Sequence, residues 1–173
     1  MVELDRMHMM VGQLVMVTKT PFTIYNHWAR TCNDPPFTIY NHWARTCNDP
    51  LGTMFFCTGI SLAGRNNYRA DIIQGETLAQ IEPSVIVCVK DPDFLNGYRI
   101  CMTGACPRFS KPAMKLIIES LGGVVVPSPK KATHFLQGNI ENSLKLRYAE
   151  ENKVPTMDFN QFKALVEPAI IGL

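Results

Sequence analysis

The sequence has 173 residues, of which 46% are hydrophobic and 18% are charged, with a net charge of +2 at pH 7. This length allows one domain or two small ones with a real apolar core, and the composition excludes a disordered chain. The small net charge argues against a protein that coats nucleic acid without specificity. Residues 1–95 carry seven Lys and Arg against nine Asp and Glu, whereas residues 96–173 carry ten against six. Any phosphate binding is therefore expected in the C-terminal half.

The chain begins with MVELDRMHMM, which lacks the basic-then-apolar order of a signal peptide. No later run approaches the roughly 18 uninterrupted apolar residues of a membrane span. We therefore expect an intracellular protein without a membrane partner, in a cytoplasm and nucleoid or in a nucleus. The cysteines lie mostly in apolar runs typical of strands, so they are predicted to be buried and reduced.

A predicted strand at residues 11–19 is followed by an identical tandem repeat. The segment PFTIYNHWARTCNDP at residues 21–35 recurs unchanged at 36–50. We expect one copy to keep the native contacts and the other to lie at the periphery, far from Thr103 and Lys145, as a loop or packed on new surface. The repeat supplies four side chains of the kind that bind zinc, His27, Cys32, His42 and Cys47. Duplication places any residue twice at one spacing, so the four carry no added information and no metal site is predicted.

The rest of the N-terminal half contains predicted strands at 51–59 and 84–91 and a predicted short helix at 64–74. Two interpretations stay open: half of a degenerate copy of the C-terminal pattern, or a small β-rich domain of no family that we recognise. We favour the second. Turn-forming residues at 91–97 predict a boundary, with an N-terminal region at 1–92 and a second domain at 93–173.

The C-terminal half is more regular. The pattern predicts strands at 98–104, 124–128, 133–137 and 154–157 and helices at 110–123, 142–152 and 158–167. This β-α-β-β-α-β-α order predicts an α/β fold, with a mostly parallel four-stranded sheet flanked by helices.

Helix ends and buried stripes can also be predicted in this half. Ser110 and Asp158 are expected to cap the first and third helices, and Gly122 to end the first. The spacing i, i+3, i+4, i+7 predicts which side chains of the helices face the core. They are Met114, Ile117, Ile118, Leu121, Leu144, Tyr148, Ala149, Phe159, Phe162 and Val166.

Four segments of this half resemble the BRCT domain when taken in order. They are LNGYRICMTG (95–104), LIIESLGGVV (116–125), PKKATHFLQG (129–138) and SLKLRYAEENKVPTM (143–157). The resemblance covers about residues 93–168 and is closest to the branch found in bacterial NAD-dependent DNA ligases and in the large subunit of the eukaryotic clamp loader.

The resemblance implies a phosphate site at Thr103, Gly104, Lys111 and Lys145. A hydroxyl and a backbone N–H at a helix entrance can both donate to a phosphate oxygen, and the helix dipole favours the anion. The resemblance also leads us to consider Lys130, Lys131 and Arg147 as contacts to a DNA backbone.

The implied function is binding rather than catalysis. No Lys-x-Asp-Gly segment, Walker-type glycine loop or Cys-x-x-Cys pair is found in the sequence, so we predict no catalytic residues and no cofactor. The predicted partner is duplex DNA with a 5′-phosphate at an end or nick, in repair, replication or ligation, together with proteins of those processes. The alternative is a scaffold that binds a phosphopeptide or an unmodified protein.

Overall fold

The computed structural model of the protein describes the backbone of residues 2–33, 36–64, 67–75, 77–140 and 143–173, with side chains except at residues 2–3, 26–43, 64 and 77. The chain divides into two compact units, Met1–Cys88 with Gly172, and Val89–Ile171 with Leu173. No helix within the described ranges is long and apolar enough to cross a membrane.

The N-terminal unit starts with helix α1 (Val2–His8) and is otherwise β-structure. Its strands are β1 (Leu14–Val17), β2 (Phe22–Asn33), β3 (Pro36–Cys47), β4 (Met54–Gly64), β5 (Asn67–Gln74), β6 (Thr77–Ile81) and β7 (Ile86–Val89), with a 3-10 turn at Pro83–Val85. They form an antiparallel sheet in the order β7-β1-β4-β5-β6-β2-β3. The prediction of a β-rich N-terminal region is therefore confirmed.

One face of this sheet forms the core of the unit. Val15 pairs with Phe55, and Ile72 lies between Cys57 and Ala79 in the neighbouring strands. All five side chains are buried, as alternation along each strand requires when one face of a sheet packs against the core.

The helix predicted at 64–74 is wrong, because this stretch contains the end of β4 and all of β5. In β5, Ala70 and Ile72 are buried while Asp71 and Ile73 are more exposed. The apolar side chains thus recur with a period of two, which is the period of a strand and not of a helix.

The two copies of the repeat pair with each other as the antiparallel hairpin β2–β3, with Phe22 opposite Cys47 and Tyr25 opposite Ala44. Phe22 and Ile24 from the first copy and Cys47 from the second are all buried. The expectation that a single copy holds the core contacts is therefore wrong, because each copy supplies one strand of the hairpin stem.

The C-terminal unit follows the predicted order. Its elements are β8 (Arg99–Thr103), α2 (Lys111–Ser120), β9 (Val124–Val125), a 3-10 turn (Pro129–Lys131), β10 (His134–Gln137), α3 (Leu144–Glu151), β11 (Thr156–Met157), α4 (Phe159–Val166) and β12 (Ile170–Ile171). A four-stranded parallel sheet has the order β11-β10-β8-β9. The predicted α/β fold is confirmed.

The helix ends have the expected chemistry. The Ser110 hydroxyl accepts a hydrogen bond from the Ala113 N–H at 3.3 Å, and Asp158 forms a capping box with Gln161. Gly122 follows the end of α2 and has a φ of +84°, a backbone conformation that favours glycine.

The helical stripes are confirmed in α2 and α4 but not fully in α3. Leu144 was expected to face the core, yet its side chain is 82% exposed, while Leu146 and Ala149 are buried. Ser143 caps α3 through the Leu146 N–H, so Leu144 stands at the first helical position, before the stripe that packs on the sheet begins.

Candidate functional site

The sequence-predicted phosphate residues lie at one edge of the parallel sheet. Thr103 is the last residue of β8, Lys111 is the first of α2, and Lys145 is the second of α3. Each of these helices follows a strand of the sheet, and in such β-α units the helix begins at the edge where the strands end. The carboxyl edge of the sheet therefore brings the hydroxyl and both ammonium groups to the same end of the unit.

The Thr103 hydroxyl is buried without a partner. The residue is 4% exposed, and its Oγ1 makes no hydrogen bond to any residue that the structure describes. Leaving a buried hydroxyl unpaired costs about 1–3 kcal/mol, and unpaired groups in native structures usually have a functional or structural cause. The end of β8 thus carries a hydroxyl donor that the described residues leave unused.

Two glycines let the backbones of neighbouring loops approach closely at this edge. Gly104 has φ +69°, and a Cβ there would collide with Asn139 Oδ1. A Cβ at Gly138 would collide with the Thr103 carbonyl oxygen and would lie 2.7 Å from the Ala105 carbonyl oxygen. The Asn139 side chain accepts a hydrogen bond from the Ala105 N–H at 2.9 Å, which fixes the loop that leaves Gly104.

Lys111 and Lys145 both act electrostatically on the buried thiol of Cys101. Burial raises the pKa of the Cys101 thiol, while the charges of Lys145 and Lys111 act in the opposite direction. Cys101 precedes Thr103 by two positions in β8, so both side chains point to the same face of the sheet. Lys111 and Lys145 thus direct positive charge to the face that carries the Thr103 hydroxyl.

The other basic candidates lie away from Thr103, Lys111 and Lys145, which we call the phosphate cluster. Lys130 and Lys131 belong to the 3-10 turn that leads into β10, at the amino edge of the sheet. The Lys130 ammonium lies 5.7 Å from the centre of the Tyr148 ring. Arg147 is exposed on α3, two residues after Lys145, a step of about 200° around the helix that points it away from Lys145.

Sequence reasoning missed a cavity that opens beside Gly104. It has a volume of about 550 Å³ and lies at the carboxyl edge of the sheet, between the loops after β8 and β10 and the start of α4. Its polar lining comes from Gln137, Asn139, Asp158 and Asn160. The signal that could have found it is the set of polar residues at or just after the ends of two neighbouring parallel strands, β10 and β11, where open α/β sheets bind ligands.

Of the four side chains in the repeat that are of the zinc-binding kind, His27, Cys32 and His42 lie outside the described side chains. Cys47 is buried as a free thiol. Within the side chains that the structure does describe, no group of three or more His, Cys, Asp or Glu could hold a metal ion.

Comparison with known proteins assigns a family to the C-terminal unit. Residues 90–166 match the family model of the BRCA1 C Terminus (BRCT) domain. A DNA ligase of Corynebacterium jeikeium is 38% identical over 77 residues, which are 44% of this chain and 11% of the ligase. DNA ligases of a Synechococcus species and of Gloeobacter violaceus are each 33% identical, over 72 and 73 residues, which are 42% of this chain. The match spans only 11% of the length of each ligase.

Proposed function

Because residues 90–166 form a BRCT domain, we propose that the protein binds duplex DNA at ends or nicks through the 5′-phosphate. The observation that carries this proposal is the buried Thr103 hydroxyl without a partner among the described residues. It stands at the sheet edge to which Lys111 and Lys145 bring positive charge.

A phosphate at this edge would give the Thr103 hydroxyl the partner that it lacks among the described residues. The Thr103 O–H donates to one phosphate oxygen, and the Lys145 and Lys111 ammonium groups neutralise the charge. A lysine in the first turn of a helix opposes the helix dipole, and a bound dianion offsets this small cost at both α2 and α3. Hydrogen bonds to charged groups contribute about 1.5–3 kcal/mol each, so three such contacts suffice for a specific but modest affinity.

DNA is favoured over a phosphopeptide by the charge of the unit. Residues 96–173 carry a net charge of +4. Exposed cations outside the site can neutralise further phosphates of the DNA backbone and so increase the affinity for DNA. Lys130, Lys131 and Arg147 are exposed and are proposed as such backbone contacts. A phosphopeptide remains the second candidate because the same three groups would hold a phosphoserine.

The protein is proposed to act as a binding module and not as an enzyme. Its similarity to DNA ligases is confined to a segment of about a tenth of their length, and their activity is not transferred to this chain. A role in DNA ligation, repair or replication, inside the cell, follows from the proposed ligand.

Competition for the site tests the proposal. A labelled duplex with a 5′-phosphate is bound to the full chain and displaced with three unlabelled competitors: the same duplex, its 5′-hydroxyl form and a phosphoserine peptide. The proposal expects the 5′-phosphate duplex to displace at the lowest concentration. Displacement by the phosphopeptide at lower concentration than by the phosphorylated duplex would instead favour the second candidate.

A further inference from the structure

The cavity beside Gly104 offers hydrogen-bonding groups that the fold does not use. The side chains of Gln137 and Asn160 make no hydrogen bond to the described residues, and Asn139 uses only its Oδ1, toward the Ala105 N–H. Asp158 uses Oδ1 to cap α4 through the Gln161 N–H, at 2.8 Å. The residues that carry this second carboxylate oxygen and these amide groups line one common cavity.

The chemistry of this lining selects against a phosphate. Among the residues that the structure describes, Asp158 is the only ionisable member of the polar set, and no lysine, arginine or histidine lines the cavity. A carboxylate repels an anion but accepts hydrogen bonds from an amino group. The set of amide and carboxylate groups matches a neutral, planar ligand with alternating donors and acceptors.

An unpaired nucleobase has these properties. Asn and Gln pair in a bidentate manner with adenine, and a carboxylate accepts from the cytosine amino group. Apolar surface for the ring is present as well, since Phe159 and Pro107 also line the cavity. A volume of about 550 Å³ is in the range of small-molecule pockets and exceeds what one base requires.

Asn139 joins this cavity to the phosphate cluster. Its Oδ1 occupies the space where a Cβ on Gly104 would lie, and the residue is part of the cavity lining. The backbone passes from Thr103 and Gly104 directly into Ala105 and Cys106, which line the cavity too. A ligand with an anionic group and a neutral ring close together is suited to both places.

We propose that the cavity binds the base of the 5′-terminal nucleotide when that base is unpaired, next to its 5′-phosphate at Thr103. This inference rests on the proposed function and adds a preference to it. A base that is paired and stacked does not expose its hydrogen-bonding edge, and extrusion from a duplex costs a few kcal/mol. A 5′ end with one unpaired nucleotide avoids that cost, so it should bind more tightly than a fully paired 5′ end.

The test uses the full chain and three duplexes of equal length, all with a 5′-phosphate. The terminal nucleotide is paired in the first, unpaired in the second, and unpaired but abasic in the third. Affinity for the second should exceed that for the first and third by about five- to 150-fold, the range for one good bidentate base contact. Asn160→Ala should remove this advantage, whereas Asn96→Ala, at another exposed asparagine outside the cavity, should keep it.

Equal affinity for the unpaired base and the abasic end would overturn the inference. The same three duplexes with a 5′-hydroxyl separate this failure from failure of the proposed function. If the phosphate preference remains while the base makes no difference, only the base site is wrong. If 5′-phosphate and 5′-hydroxyl forms bind equally in all three pairs, the phosphate site is wrong, and a base site cannot rest on it.

Discussion

Gly138 lies so close to Thr103 that a Cβ at position 138 would collide with the Thr103 carbonyl oxygen. Thr103 ends β8, and its register partner in β10 is Gln137. The two strands thus leave the sheet side by side, and the chain after β10 passes directly against the chain after β8. This contact fixes the position of the loop that carries Gly104.

Gly138→Ala should therefore weaken 5′-phosphate binding as well as stability. The atoms that the new Cβ would meet belong to the backbone and cannot swing away, so a loss of about 1–3 kcal/mol in the free energy of unfolding is expected. Gly97→Ala is the control, because φ there is +87° but nothing lies within 4 Å of the added Cβ. It should cost about 1–2 kcal/mol of stability and leave affinity unchanged. Urea unfolding measures the free energy of unfolding of each variant, and titration with a 5′-phosphate duplex measures its affinity for DNA.

Thr103→Val should separate stability from binding. The substitution removes a buried hydroxyl that has no partner in the described part of the chain, so the unfolding midpoint should rise or stay level. Affinity for a 5′-phosphate duplex should fall by about 1.5–3 kcal/mol, because one hydrogen bond to a charged group is lost.

Thr18→Val is the matched control for this variant. Thr18 is 3% exposed, and its hydroxyl donates to the Val85 carbonyl oxygen at 3.2 Å. Its replacement should lower stability by about 0.5–1.5 kcal/mol and leave DNA binding as it is. A Thr103→Val protein that loses as much stability as Thr18→Val, with unchanged affinity, would assign Thr103 a structural role.

Deletion of residues 36–50 should leave the fold and phosphate binding intact. The hairpin stem pairs Phe22–Tyr25 with Ala44–Cys47. After deletion the identical residues Ala29–Cys32 can take the place of Ala44–Cys47, with a three-residue loop at 26–28 and the same stem register. Three-residue hairpin loops are common. The unfolding midpoint and the affinity for a 5′-phosphate duplex should both be level or higher, and a deletion variant that fails to fold would show that the second copy is required.

Alkaline pH should destabilise the protein through a buried thiol. Burial raises the pKa of Cys106 from 9.0 to about 11. The unfolded chain loses this proton at lower pH than the folded chain, so the stabilisation is complete below pH 9 and is lost as pH rises toward 11. Cys106→Ala should have a shallower loss of unfolding free energy between pH 9 and 11. Identical pH slopes for the variant and the parent protein would contradict this.

The C-terminal unit could be predicted from the sequence because its signals are local. Ser110, Asp158 and Gly122 mark helix ends by their own chemistry, and the stripes of α2 and α4 have the helical period. Residues 64–74 were misread because polar residues interrupt the apolar ones, and only pairing with β4 and β6 shows which side of β5 is buried. The Asn139 contact with Gly104 likewise joins residues distant in sequence, which no local pattern reports.

Binding of a 5′-phosphate by Lys145 and Thr103 can be tested by one comparison of affinities. The dissociation constants of duplexes with a 5′-phosphate and a 5′-hydroxyl are measured for the parent protein, for Lys145→Ala, and for Lys115→Ala, whose exposed lysine pairs with Glu119 at 3.8 Å on α2. The parent and Lys115→Ala should both prefer the phosphate, and Lys145→Ala should lose about 1.5–3 kcal/mol of that preference. Equal affinity of the parent protein for both duplexes would show that it does not recognise the 5′-phosphate, and a preference that survives in Lys145→Ala would show that Lys145 does not bind it.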